Sequence, residues 1–116
     1  MTKENGVKVL TDMVADFVAH IGKKLPDDVV TKLEELGSQE SEALPKVLYE
    51  TMTKNQGLAV ELNRPSCQDT GVLQFWVKCG TNFPLIGELE ALLKEAVVKA
   101  TFEAPLRHNS VETFDE

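Results

Sequence analysis

Residues 64 to 77 read Arg-Pro-Ser-Cys-Gln-Asp-Thr-Gly-Val-Leu-Gln-Phe-Trp-Val, a short polar segment followed at once by an apolar run. Pro65 restricts the backbone near the start of the polar segment and Gly71 frees it at the end, so the pattern predicts that Cys67 lies on a turn. The apolar run 72–77 predicts a largely buried β-strand. A cysteine in this setting is either a functional thiol on a loop held by rigid elements or a small buried thiol at a strand start.

Apolar residues recur at intervals of three and four in the rest of the chain, which predicts four amphipathic helices. They are expected over residues 7–24, from Pro26 to Gly37, over about 42–62, and from Leu89 until Pro105 stops the last one. The buried stripe of the first helix is expected to consist of Val7, Leu10, Val14, Phe17 and Ile21. With one short strand region after the third helix, the predicted fold class is α+β, mostly α, in a single domain covering residues 1–116.

Two glycines are expected to have different roles. Gly37 is predicted to end the second helix, because glycine is common just after a helix C-terminus. Gly57 lies inside the predicted third helix, where it is less favourable than alanine by roughly 1 kcal/mol. We therefore expect the backbone of another element to pack closely against Gly57.

Composition excludes several classes of function. The 19 acidic and 12 basic residues give a net charge of −7, which disfavours nucleic-acid binding. No apolar stretch approaches the roughly 20 residues that span a bilayer, and the polar start has no signal-peptide core. Two cysteines without an evident pairing pattern suit a reducing compartment, so a cytoplasmic location is expected.

A second polar segment, Ala-Pro-Leu-Arg-His-Asn-Ser at residues 104–110, follows the fourth predicted helix. Arg107 stands there beside His108 and Asn109. A guanidinium next to hydrogen-bonding side chains suits a carboxylate, which it binds through two parallel hydrogen bonds. The alternative is that Arg107 only caps the carbonyl groups at the helix end.

The Cys-Gln-Asp-Thr-Gly string at 67–71 and the Pro-Leu-Arg-His-Asn string at 105–109 together resemble the iron–sulfur hydro-lyases of the class I fumarase and tartrate dehydratase family. The first string is specific to that family, whereas the helical parts are not. The resemblance extends over nearly the whole chain through further matching strings at residues 26–30, 62–65, 83–89 and 111–116.

The resemblance implies a role for four residues. Cys67 is implied to be one of three thiolates that hold a [4Fe–4S] cluster. One iron of such a cluster has an open coordination position, so it acts as a Lewis acid. Gln68 and Asp69 are implied to line the substrate site, and Arg107 to clamp a substrate carboxylate. No catalytic acid or base is assigned within these residues.

The implied reaction is dehydration of L-tartrate, giving oxaloacetate, by an α subunit that works with a β subunit in a heterotetramer of two α and two β chains. Interconversion of malate and fumarate with the same cluster is the alternative. An interpretation from another class is a non-catalytic helical module that only makes subunit contacts.

The cysteine count departs from the family pattern. Cys79 is the only other cysteine, and its distance of twelve residues from Cys67 matches no common iron–sulfur spacing, so it is expected to be a packed or edge thiol. The other two ligands and the general base are therefore expected beyond residue 116. We expect this chain to be an amino-terminal part of the enzyme, without a bound cluster when it is alone.

Overall fold

The computed structural model describes residues 2–67 and 72–106, and this part of the chain contains four α-helices and no strand. The helices are α1 (Lys3–Lys23), α2 (Asp27–Gln39), α3 (Ala43–Glu61) and α4 (Leu89–Glu103). The prediction of an α+β fold is wrong for the described part, which is all α. None of these four helices is long and apolar enough to cross a membrane.

The segment predicted to be a buried strand has a different structure. Residues 72–80 have no regular secondary structure, and their side chains are exposed. Trp76, in the middle of the predicted strand, is 91% exposed. A strand is stable only when its backbone groups pair with a neighbouring strand, and the described residues provide no such neighbour. High β-propensity alone therefore did not produce a strand here.

Contacts divide the chain into two compact units. The first unit contains Met1–Ala19 together with Asp69–Glu116, and the second unit is His20–Gln68, so the division falls within α1. That residues 1–116 fold as a single domain stays a prediction.

The core of the first unit contains the buried Leu85 and Leu92 and a cluster of mostly small side chains from α1 and from α4 with its end. Buried residues from these two elements form one cluster, which contains Ala15, Val18, Ala19, Ala96, Ala100 and Ala104. Val14 and Leu106 are partly buried and pack against it. Because alanine side chains are short, helices that meet through them approach closely.

The buried face of α1 differs from the predicted stripe. Phe17 is 63% exposed, and Val7, Leu10 and Val14 are only half-buried. The buried positions include Ala15 and Ala19. The prediction followed the largest apolar side chains, whereas the buried face is the one that meets the alanines of α4.

In the second unit, α2 packs against α3. Gly37 lies inside α2, which continues to Gln39, so the prediction that this glycine ends the helix is wrong. A Cβ atom at Gly37 would lie 3.2 Å from the Cβ atom of Tyr49 on α3, whereas a Cβ atom at Gly57 would meet no atom of the described residues within 4 Å. Close packing therefore involves Gly37, and the prediction of close packing at Gly57 is wrong.

Candidate functional site

The segment that carries Cys67 begins at the end of α3. The backbone N–H of Arg64 donates to the carbonyl oxygen of Ala59 at 2.9 Å, and the N–H of Asn63 faces the carbonyl oxygen of Val60 at 3.4 Å. Asn63 itself has a φ angle of +52°, which lies in the left-handed region that asparagine tolerates better than most residues do. These are the two hydrogen bonds of a Schellman motif, and they determine the direction in which the chain leaves α3.

Hydrogen bonds to two helices hold the two residues that follow Pro65. The N–H of Ser66 donates to the carbonyl oxygen of Gly22 in α1 at 3.0 Å. The N–H of Cys67 donates to the Oδ1 atom of Asn55 in α3 at 2.8 Å. All four residues belong to the second unit. The two consecutive peptide groups that flank Ser66 are therefore both anchored, directly before the side chain of Cys67.

A side-chain contact adds a third anchor to this segment. The Nζ atom of Lys23, the last residue of α1, donates to the Oδ1 atom of Asn63 at 2.8 Å. This contact is exposed to solvent, so it contributes little by itself. It joins the end of α1 to the left-handed residue that terminates α3.

Both cysteines are free thiols with exposed side chains. Cys79 is exposed and lies in the segment 72–80, which contains no strand, so the prediction of a packed or edge thiol is wrong. Cys67, in contrast, follows the anchored end of α3. The backbone setting, rather than exposure, distinguishes the two thiols.

Gln68, Asp69 and Arg107 lie outside the described residues. Their assignment to a substrate site therefore stays a prediction, as does the assignment of Cys67 as a cluster ligand. Within residues 2–67 and 72–106, no group of three His, Cys, Asp or Glu side chains could hold a metal ion. Cys67 fits one thiolate position of a cluster, and the described part of the chain offers no complete ligand set.

Sequence reasoning missed two residues of this region. Asn55 lies twelve positions before Cys67, and no local pattern connects the two. Ser66 is buried, with 6% exposure, and its Oγ atom has no hydrogen-bond partner among the described residues. The position of Ser66 next to Cys67 was the only feature of the sequence that singled it out, and this feature did not predict that its side chain is buried.

The first unit has an open cleft of about 750 Å³ along α1 and α4. Its walls carry charges of both signs, and the Nζ atom of Lys99 lies 2.6 Å from the Oδ1 atom of Asp12. Their hydrogen bond lowers the pKa of Asp12 and raises the pKa of Lys99. Because its described lining has four acidic and three basic side chains, the cleft has no evident preference for an anionic substrate.

Comparison with protein families identifies the chain. The family model described as fumarate hydratase (fumerase) matches residues 11–116. The chain belongs to the fumarate hydratase (fumerase) family. The resemblance inferred from the two polar strings is confirmed.

Several relatives of this fumarase-family chain are named L(+)-tartrate dehydratase subunit alpha. Those of Escherichia coli strain K12 and of E. coli O157:H7 are each 53% identical over 114 residues, which cover 98% of this chain and 38% of the relative. A Methanocaldococcus jannaschii protein, provisionally given the same name, is 36% identical over 104 residues, which cover 88% of this chain and 36% of its own length. The chain thus spans well under half the length of these relatives. No solved structure matches it.

Proposed function

We propose that this chain is part of the α subunit of an iron–sulfur hydro-lyase that dehydrates L(+)-tartrate, giving oxaloacetate after tautomerisation of the enol product. The observation that carries the proposal is 53% identity over 98% of the chain to proteins named as the α subunit of that enzyme. Since the chain spans 38% of their length, the activity is proposed for the complete protein and not for these 116 residues alone.

Cys67 is proposed to supply one thiolate to a [4Fe–4S] cluster. Its thiol is free and exposed, and its backbone N–H is held by Asn55 at 2.8 Å, which suits a ligand that must be presented in one position. When bound, the cluster would supply a Lewis-acidic iron with an open coordination position. The other ligands are expected elsewhere in the complete protein, so the 116-residue chain alone is expected to bind no cluster.

Three further residues are proposed to bind the substrate. Gln68 and Asp69, directly after the proposed ligand, line the site, and the guanidinium of Arg107 grips a carboxylate through two parallel N–H donors. The net charge of −7 opposes long-range attraction of a dicarboxylate. A local cation such as Arg107 is therefore needed to retain the substrate.

The word subunit in the relatives' name implies a partner chain. We propose that the partner is a β subunit and that the assembly is a heterotetramer of two α and two β chains. Free thiols and an iron–sulfur cluster both suit a reducing compartment, which supports a cytoplasmic location.

The test uses the complete two-subunit enzyme, reconstituted anaerobically with iron and sulfide. We expect a visible cluster absorption band and faster dehydration of L-tartrate than of malate. Cys67→Ser should lose the cluster and the activity, while the matched variant Cys79→Ser should retain both. A full cluster in Cys67→Ser, together with its loss in Cys79→Ser, would reverse the ligand assignment.

Two competing functions predict different results in the same experiment. The family description favours a fumarate hydratase, for which malate and fumarate would interconvert faster than tartrate reacts. Substrate choice depends on whether the pocket hydrogen-bonds the second hydroxyl group of tartrate. A non-catalytic subunit-contact module would bind its partner but form no cluster.

A further inference from the structure

The amide hydrogen bond at Cys67 points to a further functional residue. We propose that Asn55 is a positioning residue, which holds Cys67 ready to bind the cluster by accepting the hydrogen bond from its backbone N–H at 2.8 Å. This inference rests on the proposed role of Cys67 as a ligand. It assigns to Asn55 an indirect role, because Asn55 acts through the backbone of Cys67.

The location of Asn55 suits this role. It lies in the C-terminal part of α3, about two turns before Asn63, and its side chain is partly buried. The next amide along the chain towards the N-terminus, that of Ser66, is held by the carbonyl oxygen of Gly22 in α1. Two consecutive N–H groups are thus bonded to two different helices. A backbone held in this way leaves the thiol little freedom beyond rotation of its own side chain, which is the preorganisation a ligand needs.

The chemistry of the asparagine side chain also suits a position near a thiolate. Its carbonyl oxygen accepts the amide hydrogen without adding a charge. An aspartate would accept the same hydrogen bond, but its negative charge would disfavour the thiolate form of a nearby cysteine. An aliphatic side chain of similar size would provide no acceptor at all.

Ser66, whose amide is one of the two that are anchored, is itself buried. Its side chain is 6% exposed, and its Oγ atom has no hydrogen-bond partner in the described part of the chain. The hydrogen bonds that the amides of Ser66 and Cys67 donate to the carbonyl oxygen of Gly22 and to the side chain of Asn55 help to hold this buried segment in place.

The experiment uses the complete two-subunit enzyme and three variants on α3. Asn55→Leu removes the acceptor at similar volume, Asn55→Asp retains an acceptor, and Gln56→Leu is a control that replaces the neighbouring amide side chain. Three quantities are measured: hydrogen exchange of the Cys67 amide in the apo-enzyme, the rate at which an iron chelator removes the cluster, and the melting temperature.

We expect Asn55→Leu to raise both rates by about three- to tenfold, the effect of losing one hydrogen bond, relative to Gln56→Leu. Asn55→Asp should restore slow amide exchange at Cys67 while leaving chelator removal faster than in the wild type. The melting temperatures of Asn55→Leu and Gln56→Leu should be similar, which separates positioning from general destabilisation. If Asn55→Leu does not fold, Asn55→Ala gives the same readouts.

Unchanged amide exchange and unchanged cluster removal in Asn55→Leu would overturn the inference. The inference would also be overturned if Gln56→Leu raised the rate of cluster removal as much as Asn55→Leu does. Failure of the proposed function looks different: either the wild-type enzyme would form no cluster or Cys67→Ser would retain a full one, while exchange of the amide at residue 67 would still respond to Asn55→Leu.

Discussion

The Nζ atom of Lys99 on α4 lies 2.6 Å from the Oδ1 atom of Asp12 on α1, so an ion pair joins the two helices that form the core of the first unit. The side chain of Lys99 is 39% exposed and that of Asp12 is 41% exposed. The hydrogen bond between them is the main cause of the lowered Asp12 pKa and of the raised Lys99 pKa. We therefore predict that this pair makes the stability of the first unit depend on pH.

For Asp12→Asn we predict a loss of thermal stability that depends on pH. Because the pKa of Asp12 is lower in the folded state, its contribution is fully present above the unfolded carboxyl pKa of about 4 and disappears as pH falls through the folded value. The raised pKa of Lys99 adds a contribution that is present below about pH 10.4 and is lost at higher pH. Melting curves of the wild type and Asp12→Asn should therefore differ at neutral pH and converge in acid.

A matched control for this prediction is Glu90→Gln. Glu90 pairs with Lys94 at 2.8 Å within α4, and this hydrogen bond lowers the pKa of Glu90. Because the pair does not join two helices, we expect a smaller change in melting temperature than for Asp12→Asn. Both effects should shrink at high salt, since the pairs are exposed. A difference between wild type and Asp12→Asn that persists unchanged in acid would contradict the prediction.

We predict that Gly57→Ala stabilises the chain more than Gly37→Ala does. Both glycines lie within helices, where alanine is more favourable by roughly 0.5–1 kcal/mol. A Cβ atom at position 57 would have no neighbour within 4 Å among the described residues, whereas one at position 37 would lie 3.2 Å from the Cβ atom of Tyr49. Denaturant unfolding of the two variants should show the larger gain in unfolding free energy for Gly57→Ala. An equal gain in unfolding free energy at both positions would contradict the prediction, because it would mean that the contact with Tyr49 does not oppose the new Cβ atom at position 37.

The exposure of Trp76 predicts a distinct fluorescence signal. Trp76 is the only tryptophan of the chain and is 91% exposed, within the apolar segment 72–77. In the 116-residue chain we expect red-shifted emission and efficient quenching by iodide. Exposed apolar segments of this kind are normally covered by other protein. In the complete enzyme, the emission of Trp76 is obtained as the difference between the spectra of the wild type and Trp76→Phe. We expect this emission to be blue-shifted and poorly quenched by iodide. Weak quenching in the isolated chain would contradict the exposed conformation.

Arg107→Ala in the complete enzyme should lower kcat/KM for L-tartrate by about 30- to 1,000-fold, corresponding to roughly 2–4 kcal/mol of transition-state binding from two charge-assisted hydrogen bonds. Arg107→Lys should recover part of this, since an ammonium group retains the charge but not the planar pair of donors. Cluster absorbance should be unchanged in both variants, because arginine is not a ligand. An unchanged kcat/KM at full cluster occupancy would favour the helix-capping role instead.

The sequence by itself determined the family and the approximate places where helices begin and end. The Cys-Gln-Asp-Thr-Gly and Pro-Leu-Arg-His-Asn strings were sufficient for the family, because the side chains that define it are neighbours in the sequence. Pro26 with its two following aspartates marked the start of α2, and Pro105 marked the end of α4. Such signals are local, since they depend on one residue's backbone freedom or on charges within one helical turn.

Only the tertiary structure decided which faces and contacts these helices use. The buried face of α1 follows the alanines of α4 rather than the larger side chains, and Gly37 serves the packing of Tyr49 rather than a helix end. The apolar run 72–77 has no strand partner in the described part of the chain. The hydrogen bond from Cys67 to Asn55 spans twelve residues. Each of these features depends on groups that are distant in sequence, and local propensity contains no information about which distant group will be the neighbour.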